Sequence, residues 1–279
     1  MEDYPRYLLL GKIGNGKPIL HFNGHYDVVP AGSSWDYEPF NPAVVNNRIY
    51  GRGSSDMKGG MVSVITTLKA LLSLDIELNG SLEISMTPDE EIGGMCGAKY
   101  LLEKIDVPNW VIIPEPSGYD TIFIGHKGVL WGEITVHGKS VHASMPWNGI
   151  NAIEKATNVL NSLLSLKTKI EKITTSFNTL SEKSKRATLS ITVIEGGIKT
   201  NVIPDKVSIQ FDRRILPEEN PEKVIQEINT ILEELAKKDP EMKFDFKDLL
   251  RVEPSIAVDR RLTDVLKETI RVSSISPLR

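Results

Sequence analysis

The feature that most constrains the fold is the order in which short apolar runs and helical patterns follow one another. In the first part of the chain, the runs "KPILHFNG", "GSLEISMTPDE" and "NWVIIPEP" are punctuated by Gly, Pro and Asn and alternate with helical patterns. Strands that alternate with helices are typical of an α/β sheet. We therefore predict an α/β domain that begins with residues 1–124.

The order of the predicted elements changes in the segment 125–249. There the patterns indicate a strand, a helix, two strands, a helix and a last strand. This βαββαβ order is typical of the ferredoxin-like arrangement, which forms a complete small domain. A further helical pattern, "DRRLTDVLKETIRV", predicts that the chain returns to the first domain over 250–279. The predicted organisation is a discontinuous α/β domain with an inserted ferredoxin-like domain.

Composition argues against several classes of partner. The chain has 279 residues and a formal net charge of −4, which gives no electrostatic reason to expect nucleic acid or an anionic membrane as a partner. Its single cysteine, Cys96, cannot form an internal disulfide, and the N-terminal "MEDYPRYLLL" lacks the features of a signal peptide. We therefore predict a cytoplasmic protein that binds neither nucleic acid nor membrane.

Ionisable side chains lie where the predicted strands of the first domain end. Because ligand sites in open α/β sheets lie outside the carboxyl ends of the strands, we expect these side chains to share one cleft. Carboxylates gathered in this way repel one another and lose hydration, so the arrangement calls for a multivalent cation. Taken singly, Asp56 could instead cap the following helix, and Glu90 and Glu91 could be solvated turn residues. The strand-end residues are His25, Asp27, Asp56, Glu90, Glu91 and Glu115.

The mixture of ligand types indicates the kind of metal. An imidazole among carboxylates suits zinc or another borderline divalent ion better than Ca²⁺, which prefers oxygen ligands alone. His25 would be a ligand, and Asp27 lies one step of two residues further along the same face. Its carboxylate can accept the other ring N–H of His25 and fix the tautomer.

Five stretches resemble, in order, the motifs of the M20 metallopeptidase family, which includes deacetylases, desuccinylases, aminoacylases and carboxypeptidases. They are "GHYDVVP", "YGRGSSDMKGG", "TPDEEIGG", "PEPSG" and "HGKSVHASMPWNGINAI". The resemblance implies a zinc-peptidase-like catalytic domain. It also implies that the inserted ferredoxin-like domain, 125–249, is a lid that forms a homodimer. It further implies these roles: His25 and Glu115 bind one zinc, Asp56 bridges two and is followed by a cis peptide bond, Glu91 binds the second zinc, and Glu90 is the general acid and base.

The same resemblance assigns three residues of the lid to the substrate. His142 would reach the active site of a partner subunit and stabilise the oxyanion, and Asn201 and Arg214 would hold the substrate's carboxylate. Structural alternatives stay open here. His142 could cap the helix region that follows it, Asn201 could be a turn residue, and either Arg213 or Arg214 could be a surface charge.

Two features depart from the family's pattern and suggest truncation at both ends. The first motif comes early, at His25, and no histidine follows His142, although the family closes its second zinc site with a histidine near the C-terminus. We expect one or two Zn²⁺ per chain, with Co²⁺ or Mn²⁺ as alternatives. The predicted function is the hydrolysis of N-acyl amino acids, as by a deacetylase or desuccinylase of amino-acid biosynthesis, or of small peptides. The alternative is a catalytically impaired homologue that only dimerises or binds metal.

Overall fold

A computed structural model describes residues 5–74, 76–118, 121–270 and 274–276, and the contacts divide the chain into two compact units, Met1–Gly118 and Tyr119–Arg279. The first four residues of "MEDYPRYLLL" lie outside the described residues, as do six of the last nine residues of the chain. The predicted domain boundaries at 124 and 250, and the return of the chain to its first domain, stay predictions.

The first unit contains a mixed sheet and two helices. Its strands are β1 (Leu9–Gly14), β2 (Ile19–His25), β3 (Ala43–Val45), β4 (Arg48–Tyr50), β5 (Ser81–Thr87) and β6 (Trp110–Ile112), and its helices are α1 (Gly59–Ser73) and α2 (Ala98–Leu102). The sheet order is β1-β5-β2-β6, with β5, β2 and β6 parallel and β1 antiparallel to β5. The predicted strands β2, β5 and β6 and both helices are confirmed, whereas β1 and the β3–β4 hairpin were not predicted.

The two faces of β2 serve different purposes. His21, Asn23 and His25 share one face because successive side chains of a strand alternate. Gly24 points to the other face, where α1 packs so closely that a Cβ atom on Gly24 would lie 2.7 Å from Cγ of Met61. This close approach brings the start of α1 beside the end of β2.

The second unit has the predicted ferredoxin-like core. Its strands are β7 (Thr121–Phe123), β8 (Gly125–His126), β9 (Gly128–His137), β10 (Val141–His142), β11 (Thr188–Gly196), β12 (Val202–Ile203), β13 (Lys206–Ile215), β14 (Lys243–Val252), β15 (Ser255–Ile256) and β16 (Ser274–Ser276), and its helices are α3 (Ala152–Ile170), α4 (Pro221–Lys238) and α5 (Arg261–Ile270). Strands β11, β13, β9 and β14 form an antiparallel sheet in that order. Within the described ranges, no helix is both long enough and apolar enough to cross a membrane.

The core of this unit lies between one face of the sheet and the helices α3 and α4. Buried residues recur every three or four positions along α3 and every four along α4, so that each helix turns one apolar stripe to the sheet. On β13 the buried positions alternate, which places Phe211 and Arg213 on the helix side and Asp212 and Arg214 on the other face. The buried residues of the helices are Ala152, Ala156, Val159, Leu163, Leu166 and Ile170 of α3, and Val224, Ile228 and Leu232 of α4.

Candidate metal centre

The predicted strand-end side chains of the first unit meet around the ring of His25. Its Nε2 atom lies 3.2 Å from Oδ1 of Asp56 and 3.3 Å from Oε1 of Glu115. On the other side, Nδ1 lies 3.1 Å from the backbone oxygen of Asp27, which can only accept a hydrogen bond. The neutral ring therefore carries its proton on Nδ1 and turns the lone pair of Nε2 toward two carboxylates. A proton or a metal ion is needed between these three acceptors.

Local structure explains how the three ligand candidates are brought together. His25 is the last residue of β2, and Asp56 lies just before α1, followed by a cis peptide bond as the resemblance implies. Glu115 follows β6, where the chain packs on the first turn of α1. A Cβ atom on Gly60 would lie 2.0 Å from the carbonyl oxygen of Pro114. Only glycine permits this approach, which brings Glu115 to the start of α1.

Asp27 makes a contact that the sequence did not indicate. Its Oδ1 accepts a hydrogen bond from the backbone N–H of Glu90 at 3.2 Å, and its Oδ2 accepts one from the N–H of Glu91 at 3.1 Å. The predicted contact of this carboxylate with the His25 ring is longer, at 3.4 Å between Oδ1 and Nδ1. Asp27 therefore orients His25 mainly through its backbone oxygen and uses its carboxylate to hold the Glu90–Glu91 turn.

The charges of the cluster shift two pKa values. Burial by itself would lower the pKa of His25, but the hydrogen bond and charge of Glu115, aided by Glu90, raise it to about 9. Burial raises the pKa of Glu90; His25 opposes this shift, and the charge of Glu115 adds to it. A carboxyl group with a raised pKa is suited to take up and return a proton near neutral pH.

The donor atoms fit a divalent metal ion. Those of His25, Asp56 and Glu115 all lie within 4.8 Å of one another, and so do those of His25, Glu90 and Glu91. Three protein ligands with nitrogen and oxygen donors match the number and the donor types of catalytic zinc sites, which keep a fourth position open. The structure groups Glu91 with Glu90 beside His25, and its predicted role as a ligand of a second metal stays a prediction.

Two of the predicted substrate residues lie side by side in the second unit. His142 in β10 and Asn201 before β12 belong to one two-stranded ribbon, and the N–H of Ala143 donates to the carbonyl oxygen of Asn201 at 3.0 Å. The N–H of Ser144 donates to Nδ1 of His142 at 3.2 Å. Since Nδ1 accepts, the neutral ring carries its proton on Nε2, where it can serve as a donor.

Arg214 lies far from these two residues within the same unit. Strand β13 pairs with β9 from Lys206, opposite His137, to Arg214, opposite Val129. Eight residue steps of an extended strand span about 26 Å. The ribbon with Asn201 continues from the Lys206 end. Asn201 and Arg214 of one chain therefore cannot contact the same small molecule.

The structure also distinguishes the two adjacent arginines. The Arg213 side chain is 1% exposed and forms an ion pair with Glu219. The Arg214 side chain is 45% exposed. Arg213 is thus a structural residue, and of the two only Arg214 is available to a ligand. The alternation of apolar and polar residues along β13 is the sequence signal that could have told the buried Arg213 from the exposed Arg214.

A second buried histidine of β2 belongs to a different network. The Nδ1 atom of His21 lies 3.2 Å from Oε2 of Glu83, and its Nε2 lies 2.8 Å from Oγ of Ser85. Nζ of Lys12 lies 3.0 Å from the other carboxylate oxygen of Glu83. These contacts give His21 a structural role between β2 and β5.

Comparison with known proteins places these features in a family. A family model described as a peptidase dimerisation domain matches residues 124–240. A probable succinyl-diaminopimelate desuccinylase of Staphylococcus aureus (strain Mu50) is 34% identical over 231 residues, which are 75% of this chain and 57% of that protein. An uncharacterized metallohydrolase of Methanocaldococcus jannaschii is 36% identical over 244 residues, which are 83% of this chain and 56% of that protein. The chain spans little more than half the length of these relatives.

A solved structure has the same fold. The crystal structure of an M20 family metallo-carboxypeptidase from Sulfolobus solfataricus matches with a TM-score of 0.73 at 20% identity, over 97% of this chain and 74% of that one. The predicted combination of an α/β domain with a ferredoxin-like domain is therefore confirmed as the fold of this group of metallopeptidases.

Proposed function

The chain belongs to the M20 metallopeptidase family, and we propose that it hydrolyses the amide bond of small N-acyl amino acids or peptides at a divalent metal. The observation that carries the proposal is the meeting of His25 Nε2 with the carboxylates of Asp56 and Glu115. These three residues would hold the metal. The mixed nitrogen and oxygen donors favour Zn²⁺, with Co²⁺ or Mn²⁺ as alternatives.

The residues of the cluster divide the chemistry among them. When bound, the metal supplies Lewis-acid activation of the attacking water and of the amide carbonyl. Glu90 takes the proton of the water and returns it to the leaving amine nitrogen. Its raised pKa supports this exchange. Asp27 keeps Glu90 in place by accepting the hydrogen bond of its backbone N–H.

Relatives and lid residues together suggest the substrate class. Because one relative is named a probable succinyl-diaminopimelate desuccinylase, we favour an N-succinyl or N-acetyl amino acid with a free carboxylate. Arg214 would bind that carboxylate with its guanidinium group. By the family resemblance, His142 would act on a substrate held by a partner copy. Asn201 lies beside His142, at the opposite end of the lid sheet from Arg214, and would act there too.

The two edges of the lid sheet differ in a way that supports a homodimer through β11. On β11, Ile194 is 56% exposed, and a groove at its end is lined by Ile153 and Ile198. On the opposite edge, β14 carries charged residues along its length, and charges on an edge strand oppose pairing with another chain. The β11 edge carries one charged residue, Glu195, and is thus the one better suited to a second copy.

Replacing Glu90 tests the catalytic proposal. We expect Glu90→Gln to lower kcat on N-succinyl and N-acetyl amino acids by about a hundredfold to ten-thousandfold, because the amide cannot transfer the proton. Metal content of the purified variant, measured by mass spectrometry, should match that of the wild type. Turnover that survives this change would rule out Glu90 as the base, and a wild-type chain that binds no metal would favour the non-catalytic alternative.

A charge on the β11 edge tests the dimer. We expect Ile194→Lys to shift the protein from dimer to monomer in analytical ultracentrifugation at micromolar concentration, because it places an ammonium group in an apolar interface. Leu249→Lys is the matched control, since Leu249 is 40% exposed on the opposite edge strand β14. If the control dissociates the dimer and Ile194→Lys does not, the interface lies on β14 instead.

A further inference from the structure

The guanidinium group of Arg214 is held by a carboxylate that is itself held in place. Oδ1 of Asp212 accepts a hydrogen bond from Nε of Arg214 at 2.9 Å, and Oδ2 accepts one from the indole Nε1–H of Trp131 at 2.7 Å. Asp212 and Trp131 are directly paired across β13 and β9, so their side chains lie on the same face of the sheet. Each oxygen of the carboxylate thus has its own donor.

We propose that Asp212 and Trp131 are positioning residues that fix the guanidinium group of Arg214 for the carboxylate of the substrate. This inference rests on the proposed function, in which Arg214 binds that carboxylate. Both residues act through Arg214 and need not touch the substrate.

The hydrogen bond between Nε of Arg214 and Asp212 leaves the two Nη groups of the guanidinium available to a ligand. Asp212 engages Nε, and within the described ranges it is the ion-pair partner that the structure shows for Arg214. The two Nη groups can form paired hydrogen bonds to a carboxylate. A long side chain loses rotamer freedom when it binds a ligand, and fixing it beforehand improves affinity by about threefold to tenfold.

The main chain at Arg214 is fixed separately, from the opposite face of the sheet. The buried Arg213 donates through Nη1 to the carbonyl oxygen of Arg214 and through Nη2 to Glu219. Glu219 also accepts the N–H of Leu216 at 2.8 Å. Removing the Asp212 carboxylate should therefore free the Arg214 side chain without moving its backbone.

The test compares Asp212→Ala, Trp131→Phe and Arg214→Ala in the metal-loaded full chain. The substrate is an N-succinyl amino acid, and its carboxamide analogue, which lacks the free α-carboxylate, is assayed in parallel. We expect Asp212→Ala to raise KM for the acid by about threefold to tenfold, with kcat within about twofold. Trp131→Phe should raise KM less, and neither change should affect the analogue. Asp212→Glu should restore part of the loss, because it keeps two acceptor oxygens.

A double-mutant cycle separates this inference from the proposed function. If Asp212 acts through Arg214, Asp212→Ala should have no further effect once Arg214 is alanine. A rise in KM with Arg214→Ala but not with Asp212→Ala would overturn the positioning role while leaving Arg214 as the carboxylate ligand. No rise with Arg214→Ala would overturn both assignments.

A binding measurement decides the matter if the chain shows no turnover. Calorimetric titration with an N-acetyl amino acid, whose only carboxylate is the one assigned to Arg214, should give a dissociation constant that rises with Asp212→Ala. In the Arg214→Ala background, adding Asp212→Ala should not change the dissociation constant. The indole N–H resonance of Trp131, identified by its loss in Trp131→Phe, should shift in Asp212→Ala. An unshifted resonance would show that the hydrogen bond to Asp212 is absent in solution.

Discussion

His21 and His25 lie on the same face of the same strand, and both are almost fully buried, at 2% and 1% exposure. The ring of His21 meets one carboxylate, that of Glu83, and one hydroxyl group. The charge of Glu83 is offset in turn by Lys12. The ring of His25 meets the carboxylates of Asp56 and Glu115 at Nε2, with a third, that of Asp27, 3.4 Å from Nδ1.

The difference indicates what separates a structural histidine from one that we propose as a metal ligand. In the first network every acceptor can be matched with a donor of the protein, because Ser85 offers a hydroxyl and Lys12 an ammonium group. In the second, a neutral ring turns a lone pair toward two further acceptors, which a buried site tolerates only around a cation. Burial alone does not distinguish the two histidines; the balance of charge and donors does.

The largest expected effect is the loss of metal binding when His25 is removed. Loss of a residue that supports a ligand typically costs ten- to hundredfold in metal affinity. His25→Ala removes a proposed ligand itself and should therefore weaken zinc binding by more than about a hundredfold. Competition with a chromophoric chelator measures this. His21→Ala is the matched control on the same strand face, and its zinc affinity should stay within about threefold of the wild type. Equal losses in the two variants would mean that the comparison reflects general damage to the sheet.

The second largest expected effect is a loss of folding stability when the network around His21 is disrupted. Glu83→Ala removes the partner of both His21 and Lys12, and an unsatisfied buried donor typically costs about 1–3 kcal/mol. Urea unfolding of the metal-free protein should show this loss, whereas zinc affinity should not change. Lys12→Ala should cost less, because the Lys12 side chain is 43% exposed and water can replace it. A larger loss for Lys12→Ala than for Glu83→Ala would contradict this account.

Much of the fold and of the cluster could be predicted from the sequence, because both depend on local patterns. Strand ends mark His25 and Glu115, the start of a helix marks Asp56, and the βαββαβ order marks the lid. Contacts between distant residues could not be predicted. Trp131 and Asp212 are 81 residues apart, and the carboxylate of Asp27 binds backbone N–H groups that have no signature in the sequence.

The smallest expected effect is the number of protons that are released when zinc binds. Because Glu115 raises the pKa of His25 to about 9, the ring of the metal-free protein is protonated at neutral pH. The charged ring stabilises the fold fully below pH 6.5, and this stabilisation is lost as the pH rises through about 9. Zinc requires the unprotonated Nε2 atom, so its binding at pH 7 should release about one proton from His25.

Calorimetric titration with zinc in two buffers of different ionisation enthalpy measures this number. The affinity should rise with pH up to about 9 and then level off. His21→Ala should release the same number of protons as the wild type, because the His21 ring is no part of the zinc site. Zinc binding that releases no proton at pH 7 would mean that the lone pair of His25 is already free, and the contrast between the two histidines would then rest on the number of carboxylates alone.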